Sequence, residues 1–221
     1  MDIGGEFKFL KRSDILSKIL IAVPTFENIT PDTYKSIYNL QKRDGDLLFF
    51  DFVRGYDCAT ARNNIVKLGL SMETDFVLMV DNDVVLPPES LIWLLEDTRD
   101  VCLGYYPHRN KENQYGGKTS VCRLGPYNYV DQYSAIELRD MAKRGEYKVQ
   151  IHGGGAGCEL VKTDVYRRQK FPWYKWINYD NGQVLSEDLY FCEQCKQHRI
   201  PIYVDTRVGC GHLFRHVQWP V

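Results

Sequence analysis

No apolar run in this chain approaches the roughly 20 residues that a membrane-spanning helix requires, and the longest are short pieces such as Ile19–Val23. The N-terminus also lacks the apolar core of a secretory signal, and Met1–Phe7 (MDIGGEF) reads in part as a cloning remnant and is set aside. Cysteine is too sparse to staple the fold: seven residues in 221 do not make a disulfide scaffold, and the odd count favours reduced thiols. A cytoplasmic location is therefore expected. There is no internal repeat and no low-complexity linker, which argues against a solenoid or a disordered chain. Two nucleotide-binding signatures are also missing. GGKTS at residues 116–120 imitates the end of a P-loop, but the required glycine position holds Glu112. The glycines at 153, 154, 155 and 157 do not spell GxGxxG, so a dinucleotide fold is not expected.

What is present is an ordinary globular composition, 44% hydrophobic and 26% charged, in a length that suits one domain over residues 1–221. The net charge of -1 conceals an imbalance. Residues 1–100 carry 11 Lys/Arg against 17 Asp/Glu, whereas residues 101–221 carry 17 against 12. The first half alternates strand and helix signals, as a parallel α/β sheet does. Strands are expected at Ile19–Val23, Leu47–Val53, Phe76–Val80, Val101–Tyr106 and Ile202–Asp205, and Val149–Ile151 leads into the glycine cluster at 153–157. Helices are expected at Pro31–Leu40 (Thr30 capping), Thr60–Ser71, from Pro87 through Leu95, and Glu187–Gln197. The stretch Pro107–Val130 reads as a long loop or a small hairpin.

The most telling segment is FVLMVDNDVV, Phe76–Val85. A strand apolar enough to be covered on both faces delivers Asp81, Asn82 and Asp83 to its carboxyl end, where open α/β sheets bind ligands. Two carboxylates so close repel unless a cation or a proton intervenes, and an all-oxygen set suits magnesium or manganese. Asp-Asn-Asp is also good turn chemistry, so a solvated turn is the plain alternative.

The order of motifs resembles the GT-A glycosyltransferases, over roughly Ile19–Leu213. The likeness rests on IAVPTFEN (Ile21–Asn28), ATARNN (Ala59–Asn64), VDNDV (Val80–Val84), HGGGAGCELV (His152–Val161), SEDLYFC (Ser186–Cys192) and VGCGHL (Val208–Leu213). It implies a single-domain GT-A-like α/β fold with a mixed, mostly parallel sheet flanked by helices. Residues 19–100 would form the donor and metal half and residues 101–221 the acceptor half. It also implies transfer of a sugar from a nucleotide-diphosphate sugar to an acceptor hydroxyl, with inversion favoured. Pro24, Thr25, Glu27, Arg62, Asp81, Asn82 and Asp83 would hold the donor, and Asp81, Asp83 and His212 would hold Mn2+ or Mg2+. Asp188 would be the catalytic base, with Glu187 in reserve. Gly153, Gly154, Gly155 and Trp173 would face the acceptor.

Each role has a plainer competitor. Glu187 and Asp188 could simply complement a helix dipole, Arg62 could be a surface arginine, the glycines a loop, and Trp173 and Trp176 core residues. Cys192, Cys195, Cys210 and His212 form a CxxC plus CxH set that could hold zinc. The basic second half suggests a phosphate-bearing acceptor: a glycan, a lipid-linked phosphate or nucleic acid, as in phage-type enzymes that glycosylate a modified DNA base. It does so through Arg109, Lys111, Lys118, Arg123, Arg139, Lys143, Arg144, Lys148, Arg167, Arg168, Lys170 and Lys175. Rival readings are a nucleotidyltransferase, which would need a glycine-rich basic loop after the first strand, and a non-catalytic nucleotide-sugar or polyanion-binding module.

Overall fold

The structure, a computed structural model, describes residues 16–26, 28–108, 117–125, 130–213 and 217–218. In chain order the first elements are β1 (Lys18–Thr25), α1 (Pro31–Tyr38), β2 (Leu47–Arg54), α2 (Cys58–Ser71), β3 (Phe76–Val80), β4 (Val84–Val85), α3 (Ser90–Leu95) and β5 (Val101–Tyr105). Next come β6 (Lys118–Leu124), β7 (Val130–Ser134), α4 (Ala135–Lys143), β8 (Lys148–Ile151), β9 (Gly153–Gly154), β10 (Cys158–Lys162) and α5 (Thr163–Arg168). The chain closes with β11 (Ile177–Asn178), β12 (Val184–Leu185), α6 (Glu187–Gln197), β13 (Ile202–Gly209), β14 (Gly211–Leu213) and β15 (Val217–Gln218).

A seven-stranded sheet in the order β2-β1-β3-β10-β5-β13-β8 forms the centre. Five strands run one way; β10 and β8 run against them. The apolar runs explain which strands lie innermost. Every residue of β3 and β5 is buried, whereas edge strand β2 leaves Phe50 and Phe52 partly exposed. One face packs Leu20, Ala22, Val77 and Met79 against Ile65 and Val66 of α2 and Phe191 of α6. The other packs Ile19, Ile21, Leu78 and Val80 against Leu91 and Leu94 of α3.

Helix starts follow their caps. Thr30 accepts the Thr33 N–H at 3.3 Å, with Pro31 in the first turn as expected. Helix α2 begins two residues before Thr60 because Asp57 caps it, taking the Thr60 N–H at 2.6 Å. The two prolines expected to open α3 precede it, since its first residue is Ser90. The last long strand runs to Gly209, four residues beyond its expected end. Of the two readings of the 107–130 stretch, the hairpin is the one observed: β6 pairs with β7, and also with β9.

Two small pairings position the functional groups. Strand β14 lies antiparallel to β4, with Gly211 opposite Val85 and His212 opposite Val84. The Leu213 N–H also donates to the Asp83 carbonyl at 2.8 Å. The chain's end is thereby brought beside the Asp-Asn-Asp turn.

Central strand β10 carries one polar side chain into the core. Glu159 is 1% exposed, accepts the Tyr174 hydroxyl at 2.5 Å, and among the described residues its other oxygen has no partner. Burial raises its pKa from 4.5 to about 7. The fold thus holds the protonated form. That stabilisation is whole below about pH 4.5 and is lost as the pH rises through about 7. Denaturant unfolding of the wild type should lose roughly 3 kcal/mol across this window. Glu159→Gln should flatten the slope, and an unchanged slope would show that Glu159 is ionised in the folded core.

Candidate active site

The carboxyl ends of β1 and β3, the exit of β5, the β6–β7 hairpin and the start of α6 enclose a cavity of about 440 Å³. Asp81, Asn82, Asp83, Asp188 and His212 all line it, although they come from three well-separated parts of the sequence. Pro24 borders it and also a second, adjoining cavity of about 200 Å³, which Thr25, Phe26, Asp57 and Asn82 help to line. The Asn82 side chain donates to the Asn28 carbonyl at 2.9 Å, and the Thr30 N–H donates to the Asn82 carbonyl at 3.1 Å. The Thr25 hydroxyl meets the same Asn28 carbonyl at 3.1 Å. The segment after β1 is thus tied to the aspartate turn. Glu27 lies outside the described residues.

Arg62 is the surprise of the site. It does not face an open diphosphate pocket. Its side chain is 2% exposed and lies between two acids. It donates to Asp81 Oδ1 at 2.8 Å and to Glu187 Oε1 at 3.3 Å, and a third bond reaches the Ala156 carbonyl at 3.2 Å. Burial opposes its charge, but Asp81, Cys58 and Glu187 outweigh this and hold its pKa well above the usual arginine value. Glu187, expected as the reserve base, is 5% exposed and committed to this ion pair, which takes it away from an acceptor. Asp188, the next residue, turns the other way into the cavity. Its Oδ1 accepts the Leu189 N–H at 2.8 Å and also the Ser186 hydroxyl, which makes no cap bond of its own.

His212 donates through Nδ1 to the Pro107 carbonyl at 2.8 Å, since a carbonyl oxygen can only accept. Its Nε2 is then directed to Asp83, 3.6 Å from Oδ1. Among the described residues no three His, Cys, Asp or Glu side chains gather as a ready-made metal cluster. Asp83 and His212 converge, while Asp81 has one oxygen held by Arg62.

Several sequence expectations land elsewhere. Gly153 and Gly154 are buried: a Cβ on the first would press on Cys192, and on the second on Leu103 and Val121. Of the three acceptor-side glycines only Gly155 borders the cavity. Trp173 is a core residue, 8% exposed, whose indole donates to the Tyr166 carbonyl at 2.8 Å. Cys192 and Cys195 are buried in one core layer and Cys210 in the other, which separates the thiols of the zinc alternative.

Six of the twelve basic residues expected to greet an anionic acceptor face acids. Lys118 and Arg123 pair with Asp131, Lys143 with Asp140, and Arg144 with Glu146. Lys148 is buried against Asp205, and Arg168 pairs with Asp100. Arg109 and Lys111 lie outside the described residues.

Sequence reasoning missed Tyr106, His108 and Gln132, which also line the cavity. His108 Nε2 lies 2.6 Å from the Gln132 amide nitrogen, and burial followed by the charge of His212 lowers its pKa. Tyr106 ends a strand run that was read correctly, so its place at a strand exit was the one available signal; nothing in the spacing marked the other two.

No protein-family model matches the chain, and no curated protein matches it. Solved structures do. "A197 from STIV" superimposes with a TM-score of 0.59 at 17% identity, covering 92% of this chain and 90% of that one. GalNAc-T7, solved with UDP, GalNAc and Mn2+, gives 0.58 at 10% identity, covering 92% of this chain; the match spans 45% of GalNAc-T7. The fold is GT-A-like, with the mixed, mostly parallel sheet that the sequence resemblance implied. Among the described residues no helix is long and apolar enough to cross a membrane.

The Arg62 bridge yields a direct test. Removing one member of a buried ion pair strands the others, at a typical cost of ~3–5 kcal/mol. Arg62→Met should destabilise by about that much in urea unfolding, and adding Glu187→Leu should recover part of the loss. A change under about 1 kcal/mol would mean that the bridge contributes little.

Proposed function

We propose that the protein is a metal-dependent glycosyltransferase that moves a sugar from a nucleotide-diphosphate sugar to an acceptor hydroxyl. The observation that carries this reading is the convergence of Asp83, His212 and Asp188 in one cavity of a GT-A-like fold. Asp83 and His212 would hold the ion, and Asp81 would add its free oxygen directly or through water. A carboxylate and an imidazole converging at 3.6 Å make an oxygen and nitrogen set that fits manganese better than magnesium, which prefers oxygen ligands. Bound there, the ion would offset negative charge developing on the leaving diphosphate. The adjoining cavity at Pro24, Thr25 and Asn82 is the natural place for the nucleoside. GalNAc-T7 binds UDP and Mn2+ on the same fold, which supports this assignment by analogy.

Asp188 acts on the acceptor. As the acceptor oxygen bonds to the anomeric carbon and the bond to the diphosphate breaks, the hydroxyl proton passes to the Asp188 carboxylate. A base on the acceptor side favours inversion. Ser186 and the Leu189 N–H fix one Asp188 oxygen and leave the other for the proton. An anionic acceptor would fall to basic residues outside the ion pairs, such as Arg139, Arg167, Lys170 and Lys175.

Two experiments test this reading. Calorimetric binding of the nucleoside diphosphate should require a divalent ion, and His212→Ala should weaken metal affinity by ~10–100-fold. Full binding and turnover in excess chelator would remove the metal from the mechanism. Asp188→Asn should lower kcat by about 100-fold or more while donor affinity holds. An equal loss of donor affinity would reassign Asp188 to the donor.

A further inference from the structure

The Tyr106 hydroxyl occupies an unusual position. The residue follows β5, is 9% exposed and lines the main cavity. Its ring packs edge-on against His212, with centroids 5.1 Å apart. The phenol oxygen accepts the Gly157 N–H at 3.2 Å. Its own proton finds no acceptor among the described residues, which is rare for a buried hydroxyl.

The glycine turn after β9 is shaped around this group. A Cβ on Gly155 would overlap the Tyr106 hydroxyl, and one on Gly157 would lie 2.8 Å from it. The same Cβ positions would stand 3.4 Å from Asp188 Oδ2 and 2.9 Å from Asp81 Oδ2 respectively. The phenol oxygen therefore shares this glycine turn with the carboxylate assigned to the acceptor and the one beside the donor. The glycines make room for a tyrosine tip, not for backbone approach to a sugar.

We infer that Tyr106 donates its hydroxyl proton in a hydrogen bond to an oxygen of the transferred sugar, and so contributes to recognition of that sugar. The assignment rests on the glycosyltransferase reading and extends it. Between Asp81 and Asp188 lies the path from donor to acceptor, and the group in transit is the sugar, which offers neutral hydroxyl oxygens to such a donor.

The test compares binding of UDP and GDP with that of UDP- and GDP-hexoses to the manganese-loaded protein by calorimetry. Tyr106→Phe keeps the ring against His212 and removes only the hydroxyl. It should bind the nucleoside diphosphate as the wild type does, and the nucleotide sugar about three- to tenfold more weakly. Gly155→Ala, which displaces the hydroxyl without deleting it, should show the same selective loss. Equal weakening of both ligands would reduce Tyr106 to a packing role, and an unchanged profile would overturn the assignment alone. Wild-type protein that binds none of these four ligands, and none of their adenosine, cytidine and thymidine counterparts, would overturn the glycosyltransferase reading and this inference with it.

Discussion

A guanidinium removed from water must have its charge answered nearby, and Arg62 finds its partners on two elements that the chain visits far apart. Asp81 follows β3 and Glu187 opens α6, 125 residues from Arg62. The desolvation cost of a buried charge is repaid only when both carboxylates are in place. The geometry of the site depends on this bridge. It draws the start of α6 against α2, fixes one oxygen of Asp81, and by holding Glu187 inward turns Asp188 outward into the cavity. Adjacent carboxylates at a helix start thus take different parts, one held in a buried ion pair and one lining the cavity.

A second constraint works from the chain's end. The β14–β4 pairing and the Leu213 bond to the Asp83 carbonyl bring His212 alongside Asp83. The Pro107 carbonyl then selects the imidazole tautomer that presents Nε2 to the carboxylate. Tyr106, one residue before Pro107, braces the same ring. The exit of β5 therefore orients the histidine and carries a hydroxyl that lies against the glycine turn after β9.

Much of the scaffold was legible in the sequence, because buried strands announce themselves as short apolar runs. Ile19–Val23, Phe76–Val80 and Val101–Tyr106 needed no tertiary knowledge, and neither did the Asp-Asn-Asp turn at a strand's end. Helix starts depended on caps: Thr30 was read correctly, whereas Asp57 was overlooked and α2 was begun late. The roles of Arg62 and Glu187 could not be read, since neither spacing nor composition records a contact across 125 residues. The glycine cluster was legible only in part, since Gly155 borders the cavity while Gly153 and Gly154 pack in the core. Glycine signals a close approach but does not say whose: Gly154 yields to Leu103 and Val121, and Gly155 to Tyr106. The basic second half could be read only in part, because charge counted along a chain does not show which lysines and arginines fold beside acids.

Cleavage of a nucleotide-diphosphate sugar in this cavity is read most directly by mass spectrometry of purified protein incubated with manganese and a panel of nucleotide sugars, without acceptor. Slow release of nucleoside diphosphate and free sugar from one donor is expected, absent in Asp83→Ala protein. Failure to bind or cleave any member of the panel, or cleavage that survives loss of Asp83, would contradict it.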